Sequence, residues 1–284
     1  KKWPNAKYLG YFQAFTNTYA PLEVLKEKYE TILEQDDVVG LSISTRPDCL
    51  EDDVVEYLSE LNERTNLWVE LGLQTIHDST SKIINRGHDY KTFLEGVEKL
   101  KAKNIKTVVH IINGLPGEDY KSFKKSFNDV YSIGPEEIQL GFLKLLRGSS
   151  MREEAELYDM KYSPYPPYEI LSTKDISYDE LLVLKKVEHM VDKYYNSQKF
   201  NNVIKFFIDK FETPFDFFLS LGEFFEMKDY FNRNIGNSEY YKVFLEFNEK
   251  VLKSDNSILR DIIKYDYLTF NKRRGMPEFL ESRM

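Results

Sequence analysis

Between residues 8 and 145 the chain alternates two hydrophobic periods. Short runs rich in β-branched and aromatic residues fall at 8–15, 38–44, 67–75, 107–114 and 137–145. They are nearly continuously apolar, as strands buried on both faces are. The stretches between them carry helical spacing. In "PLEVLKEKYETILEQ", Pro21 opens a pattern that puts Leu22, Leu25, Tyr29, Ile32 and Leu33 on one face. "CLEDDVVEYLSELNERT", "DYKTFLEGVEKLKAKN" and "DYKSFKKSFNDVYSIG" behave alike, the last with Gly134 placed as a C-cap. Strand–helix repeats of about 30 residues predict successive βαβ units and a parallel sheet.

After Arg147 the pattern becomes helical and aromatic. "YSPYPPYEILS" (162–172) reads as an extended Pro/Tyr linker. Ser177 with Glu180 three residues on reads as a capping box opening a helix. Four amphipathic helical stretches follow, at 200–211, 214–227, 238–252 and 257–272. The organisation expected is an α/β domain over 1–150 and a helical, aromatic-rich domain over 151–284.

Composition narrows the class. The net charge of −8 argues against a broad electrostatic grip on nucleic acid, leaving Lys272, Arg273 and Arg274 as the one tight basic cluster. A single cysteine excludes an internal disulfide and fits a reducing compartment. No run approaches the ~20 apolar residues of a membrane span, and no signal peptide is visible, so a cytoplasmic protein with no membrane partner is expected. The chain starts "KKWPNAKYLGYF", without Met and almost directly in a strand, as a piece of a longer protein would.

The strands end in polar residues: Gln13, Thr16 and Asn17 after the first, Ser44, Thr45, Arg46 and Asp48 after the second, and Glu70 and Gln74 on the third. His110, Asn113, Gly114 and Pro116 follow on the fourth, Gln139 and Lys144 on the fifth. Glu70, Gly72 and Gln74 alternate and so share one face. Polar strand ends that converge describe a cavity for one polar ligand. Gln13, Asn17 and Asp48 equally suit helix or turn caps, Asp78 suits an N-cap, and Arg46 a surface cation. Glu70 within an apolar strand is harder to explain structurally, because a buried carboxylate is costly unless paired. The "NGLPG" loop would offer backbone groups to a ligand. The chain has no P-loop and no dinucleotide fingerprint. Its four histidines lack metal-ligand spacing, and Cys49 alone cannot hold a cluster or zinc.

At "YFQAFTNTYAPLE", "VVGLSISTRPDCL", "WVELGLQTIHD", "INRGHD" and "HIINGLPGE", in that order over residues 1–118, the chain resembles the radical S-adenosylmethionine (SAM) superfamily. The resemblance is to bacterial proteins related to the Elongator catalytic subunit and to oxygen-independent coproporphyrinogen oxidase. The segment from "GPEEIQLGFLKLLRGSS" to "YYNSQKF" is similar to the C-terminal extension of cobalamin-dependent radical SAM proteins. The resemblance implies a partial (β/α)6 TIM-like barrel, here lacking its first βα unit, followed by an α-helical domain. It implies SAM and a [4Fe–4S] cluster held by three cysteines that would lie upstream of Lys1, and it leaves cobalamin open as an additional cofactor. It places Gln13, Thr16 and Asn17 where the family's Gly-rich segment receives the SAM amino group, and Ser44, Thr45 and Arg46 beside ribose or carboxylate. Glu70 and Gln74 fall near ribose and substrate, and Arg86 matches the carboxylate-binding arginine. Asn113, Gly114 and Pro116 fall along adenine; His110, Gln139 and Lys144 are substrate candidates. "FQAFTN" departs from the Gly-rich pattern.

The function expected is that of a radical SAM oxidoreductase or transferase fed by a flavodoxin or ferredoxin. Its substrate is left open by the residues, with tRNA as a candidate because related proteins modify wobble uridines. The chain alone, without cluster cysteines, is expected to be inactive. A cluster-free barrel that binds a ligand or partner is the alternative. A third reading is an ordinary barrel enzyme with Glu70 and His110 as acid and base.

Overall fold

A computed structural model describes residues 6–271 and 275–281. The basic cluster 272–274 lies outside the described residues. Five parallel strands form one sheet in sequential order: β1 (Tyr8–Phe12), β2 (Val38–Thr45), β3 (Asn66–Gln74), β4 (Lys106–Asn113) and β5 (Glu137–Phe142). The helices α1 (Leu22–Leu33), α2 (Asp52–Arg64), α3 (Asp78–Ile83), α4 (Tyr90–Ala102) and α5 (Tyr120–Ile133) fill the crossovers. This is the parallel α/β architecture expected from the alternating periods, in the half-barrel form that the resemblance implied. One face of the sheet is closed by core side chains such as Leu41, Ile43, Val69, Leu71, Val109 and Ile111, each fully buried. Every second residue of β3 is half-buried instead, so its other face looks into a cavity.

Local chemistry sets the helix ends. In the related stretches "DYKTF" and "DYKSF", Asp89 and Asp119 are N-caps that accept from the backbone N–H of Thr92 and Ser122, each at 2.8 Å. Gly134 ends α5 in the left-handed conformation, as its position predicts. Asp78 is the first residue of α3, not its cap; its carboxylate accepts the backbone N–H of Tyr90 at 3.0 Å and so ties α3 to α4.

The Pro/Tyr stretch is not a linker. After the single turn α6 (Ser150–Glu153), it folds into a hairpin of β6 (Lys161–Tyr162) and β7 (Ile170–Ser172). The hairpin is tied to the chain just after β5: Leu145 N–H donates to Tyr168 O and Ile170 N–H to Leu143 O. The two compact units are accordingly residues 1–177 and 178–284, and the boundary drawn at 150/151 falls inside the first. Spacing could not show this, because the backbone bonds that join 162–172 to 143–145 are non-local.

The second unit is helical: α7 (Tyr178–Met190), α8 (Asn201–Ile208), α9 (Pro214–Met227), α10 (Asn237–Lys250) and α11 (Ser257–Phe270). Its core is aromatic. Phe207 stacks on Phe217 and Phe244 with ring centroids 5.6 and 5.5 Å away. Asp266 of α11, buried, caps α8 by accepting from the backbone N–H of Asn202 and Val203, both at 3.0 Å. Among the described residues no helix is long and apolar enough to cross a membrane.

Candidate functional site

A cavity of about 350 Å³ opens at the C-terminal ends of β1 to β4. That is where a parallel α/β sheet places its ligands. Of the residues singled out above, Gln13, Thr16, Ser44, Thr45, Arg46, Glu70, Gln74, Arg86 and His110 line it.

Glu70 is the hub of one end. Its carboxylate accepts from Ser42 Oγ at 2.5 Å, Ser44 Oγ at 2.9 Å and Tyr11 OH at 3.0 Å, and lies 3.2 Å from His110 Nε2. Strand register makes this possible: Ser44 stands opposite Glu70 on the neighbouring strand, and Gly72 opposite His110. Burial alone would push the carboxyl up. The hydrogen bonds from His110, Ser42 and Ser44 and the charge of His110 outweigh it and hold the group down at about 2. Tyr11 is pushed up by its burial and by the nearby Glu70 charge.

The other end is cationic. Arg86 comes not from the start of a helix but from the turn after α3. Its Nη2 and Nε donate to Gly72 O at 2.5 and 3.0 Å, and Nε also reaches His88 Nε2 at 3.2 Å. Gly72 makes the room: a Cβ there would lie 2.3 Å from Arg86 Nη2 and 2.8 Å from Gln74 Nε2. Burial first, and the like charge of Arg46 next, pull the Arg86 guanidinium down from its ordinary value. Burial likewise lowers His88, which serves as acceptor for Arg86 without lining the cavity. Arg46 is not a loose surface cation: Nε and Nη2 fork onto Asp48 at 2.9 and 2.5 Å. Gln74 follows a register shift in β3 with φ +72°, and its Oε1 is buried with no partner among the described residues.

Other expected residues lie elsewhere. Asn17 lines no part of the cavity; its amide clamps the ends of β1 and β2 by donating to Phe12 O and Ser44 O, both at 2.9 Å. Asn113, Gly114 and Pro116 are buried. The "NGLPG" backbone does not line the cavity, because Ile170 of β7 covers Gly114 so closely that a Cβ would sit 2.8 Å from it. Gln139 stands beside His110 in register and donates to Glu137 at 3.3 Å. Lys144 is exposed, and its backbone pairs with that of Glu169 in an isolated antiparallel β-bridge. His77 is a structural neighbour, with Nε2 3.2 Å from Ser122 O.

Three contributors were missed. Tyr11 of β1 stands two residues before Gln13, and Ser42 two before Ser44 on β2, so the period of two already contained both. Phe15, 98% exposed with φ +66°, stands at the rim, and no sequence signal marks that conformation.

Residues 1–130 match the family described as the Radical SAM superfamily. Residues 156–284 match a second family, described as a protein of unknown function (DUF4080). The match over residues 1–130 is to the superfamily that the ordered motifs anticipated. Among curated relatives, the chain is 51% identical over 168 residues to an uncharacterized protein, YtqA, of Bacillus subtilis (strain 168), covering 59% of this chain and 52% of that one. It is 38% identical over 151 residues to protein YhcC of Escherichia coli (strain K12), covering 53% and 49%. It is 29% identical over 154 residues to the tRNA uridine(34) acetyltransferase of Methanocaldococcus jannaschii, covering 52% and 27%. The chain spans about half the length of the first two relatives.

The family implies SAM and an iron–sulfur cluster, and the residues present treat the two differently. A carboxylate end, a guanidinium end and a buried carbonyl oxygen of Gln74 without a partner among the described residues fit a zwitterionic ligand with a diol. The one cysteine does not fit a cluster held by three thiolates: Cys49 lies in a separate groove, and burial pushes its thiol up.

Proposed function

We propose that this chain carries the SAM-binding half-barrel of a radical SAM enzyme, and that the cavity at the ends of β1 to β4 is where SAM binds. The observation that carries this reading is the two-ended polarity of the cavity, with Glu70 at one end and Arg86 at the other. Arg86, aimed by Gly72 O, would hold the SAM carboxylate, and Arg46 adds positive potential beside it. Glu70, ionised at any working pH, would accept from the ribose hydroxyls. Gln74 Oε1 is an acceptor for the amino group. When bound and reductively cleaved, SAM supplies a 5′-deoxyadenosyl radical. The thiolates of a cluster would have to come from outside these 284 residues, together with an electron donor such as a flavodoxin or ferredoxin. For the substrate we propose tRNA, supported by the relative that acts on tRNA uridine 34; the net charge of −8 concentrates any such contact in local patches such as 272–274.

Calorimetric titration of the chain with SAM tests the reading. Arg86→Ala is expected to weaken binding roughly 10- to 100-fold, the size of one charge-assisted contact, and Arg86→Lys to recover only part of it. Equal affinity in wild type and Arg86→Ala, with both folded by circular dichroism, would remove Arg86 from the site. The single cysteine favours a second reading, a cluster-free ligand-binding module. Iron content after anaerobic reconstitution of the complete protein separates the two.

A further inference from the structure

We infer that His110 is the proton-transferring residue of this cavity, with Nε2–H held by Glu70 and Nδ1 left for an O–H or N–H group of the bound molecule. Glu70 is then a positioning residue for His110 as well as a ligand contact. The inference rests on the reading of the cavity as a binding site, but not on the identity of its occupant.

The geometry carries it. His110 lines the cavity, its Nε2 lies 3.2 Å from Glu70 Oε2, and its Nδ1 has no hydrogen-bond partner among the described residues. Glu70 cannot swing away: Ser42, Ser44 and Tyr11 fix both carboxylate oxygens from two neighbouring strands. Such a carboxylate accepts only, so the ring's Nε2 carries the hydrogen, and in the neutral tautomer this selects, Nδ1 is a bare lone pair. The neighbouring strands also bring polar and charged groups: Gln139, in register with His110 on β5, the Glu137 carboxylate that Gln139 contacts, and the Arg86 guanidinium on Gly72 O, Gly72 being in register with His110 on β3. A nucleophile, base and orienting carboxylate follow the same logic elsewhere: the carboxylate selects the tautomer and steadies the imidazolium that forms. The step balances simply. The ligand's O–H or N–H bond breaks, its electron pair stays on oxygen or nitrogen, and the Nδ1 lone pair takes the proton. The positive ring then sits against the Glu70 charge. In the reverse direction the same atom returns the proton. This adds proton handling to a cavity otherwise assigned to cofactor binding.

Two measurements on the 284-residue chain test it. Nitrogen-15 correlation spectra of the imidazoles, with His110 assigned through His110→Gln, should show the Nε2–H tautomer. Glu70→Ala, which removes the acceptor, should weaken the Nε2–H preference of His110 in the same spectra. Diethyl pyrocarbonate, which acylates a bare imidazole nitrogen, should modify His110, as read by mass spectrometry of its peptide. An Nδ1–H tautomer in the wild-type chain, an unchanged tautomer balance in Glu70→Ala, or a His110 inert to the reagent in the folded chain would each overturn the inference. Ser42→Ala leaves the carboxylate in place and should disturb the tautomer less than Glu70→Ala; an equal effect would also count against it. If SAM fails to bind while the tautomer and the modification are as stated, the cofactor reading falls and the His110 assignment stands.

Discussion

Glu70 shows how much one side chain depends on its neighbours. A carboxylate in the middle of an apolar strand is costly alone, but three hydroxyls and an imidazole surround this one. Its folded value of about 2, below the ordinary 4.5, makes it a stability term with a definite sign. The contribution is complete above the unfolded value and is lost as pH falls from about 4.5 toward 2. Glu70→Gln should therefore cost roughly 2 kcal/mol at pH 7, and the gap to wild type should narrow as urea denaturation is repeated at pH 4 and then pH 3. A constant gap across that range would mean that the carboxylate's charge is not what stabilises. Glu70 was legible from sequence because it breaks an apolar run. Ser42 and Tyr11 were legible in principle, since each sits two residues from a residue already singled out. Nothing local marks Phe15.

At the scale of elements, the strands and helices of the first unit follow the hydrophobic periods closely, because each buries a face whose spacing is written in the chain. The ends follow local chemistry too. Asp119 caps α5 through the Ser122 N–H, so Asp119→Ala should lower stability by about 1 kcal/mol, read as a lower melting temperature with unchanged helix content in the folded state. The stretch 162–172 went differently. Its Pro and Tyr content reads as an extended linker, and its strands are extended. They pair with one another and with the chain after β5 through backbone groups that carry no side-chain signature. The same pairing lays Ile170 over Gly114 and takes "NGLPG" out of the cavity lining.

For the whole molecule, the two compact units have cores of different character: an aliphatic sheet core in residues 1–177 and an aromatic cluster in 178–284. Phe244, in ring contact with Tyr194, Phe200 and Phe207, anchors the second. Phe244→Ala should destabilise that unit by about 3–5 kcal/mol. Residues 178–284 contain no tryptophan, and Trp68 lies in the first unit, so the tryptophan-detected transition should keep its midpoint while the far-ultraviolet signal of the helical unit melts earlier. A tryptophan transition that moves with the mutation would show that the units unfold together.

The chain's own sequence determined the parallel α/β sheet, the helical second unit and the end of the sheet that carries polar groups. Those follow from periodicity and from the cost of burying polar atoms, and both act residue by residue. Which of the polar groups meet was decided only by tertiary structure. Strand register sets Ser44 against Glu70 and Gly72 against His110, the turn after α3 returns Arg86 to Gly72 O, and β7 buries Gly114. Each of these depends on residues far apart in the chain, and spacing along one strand cannot report the register with the next.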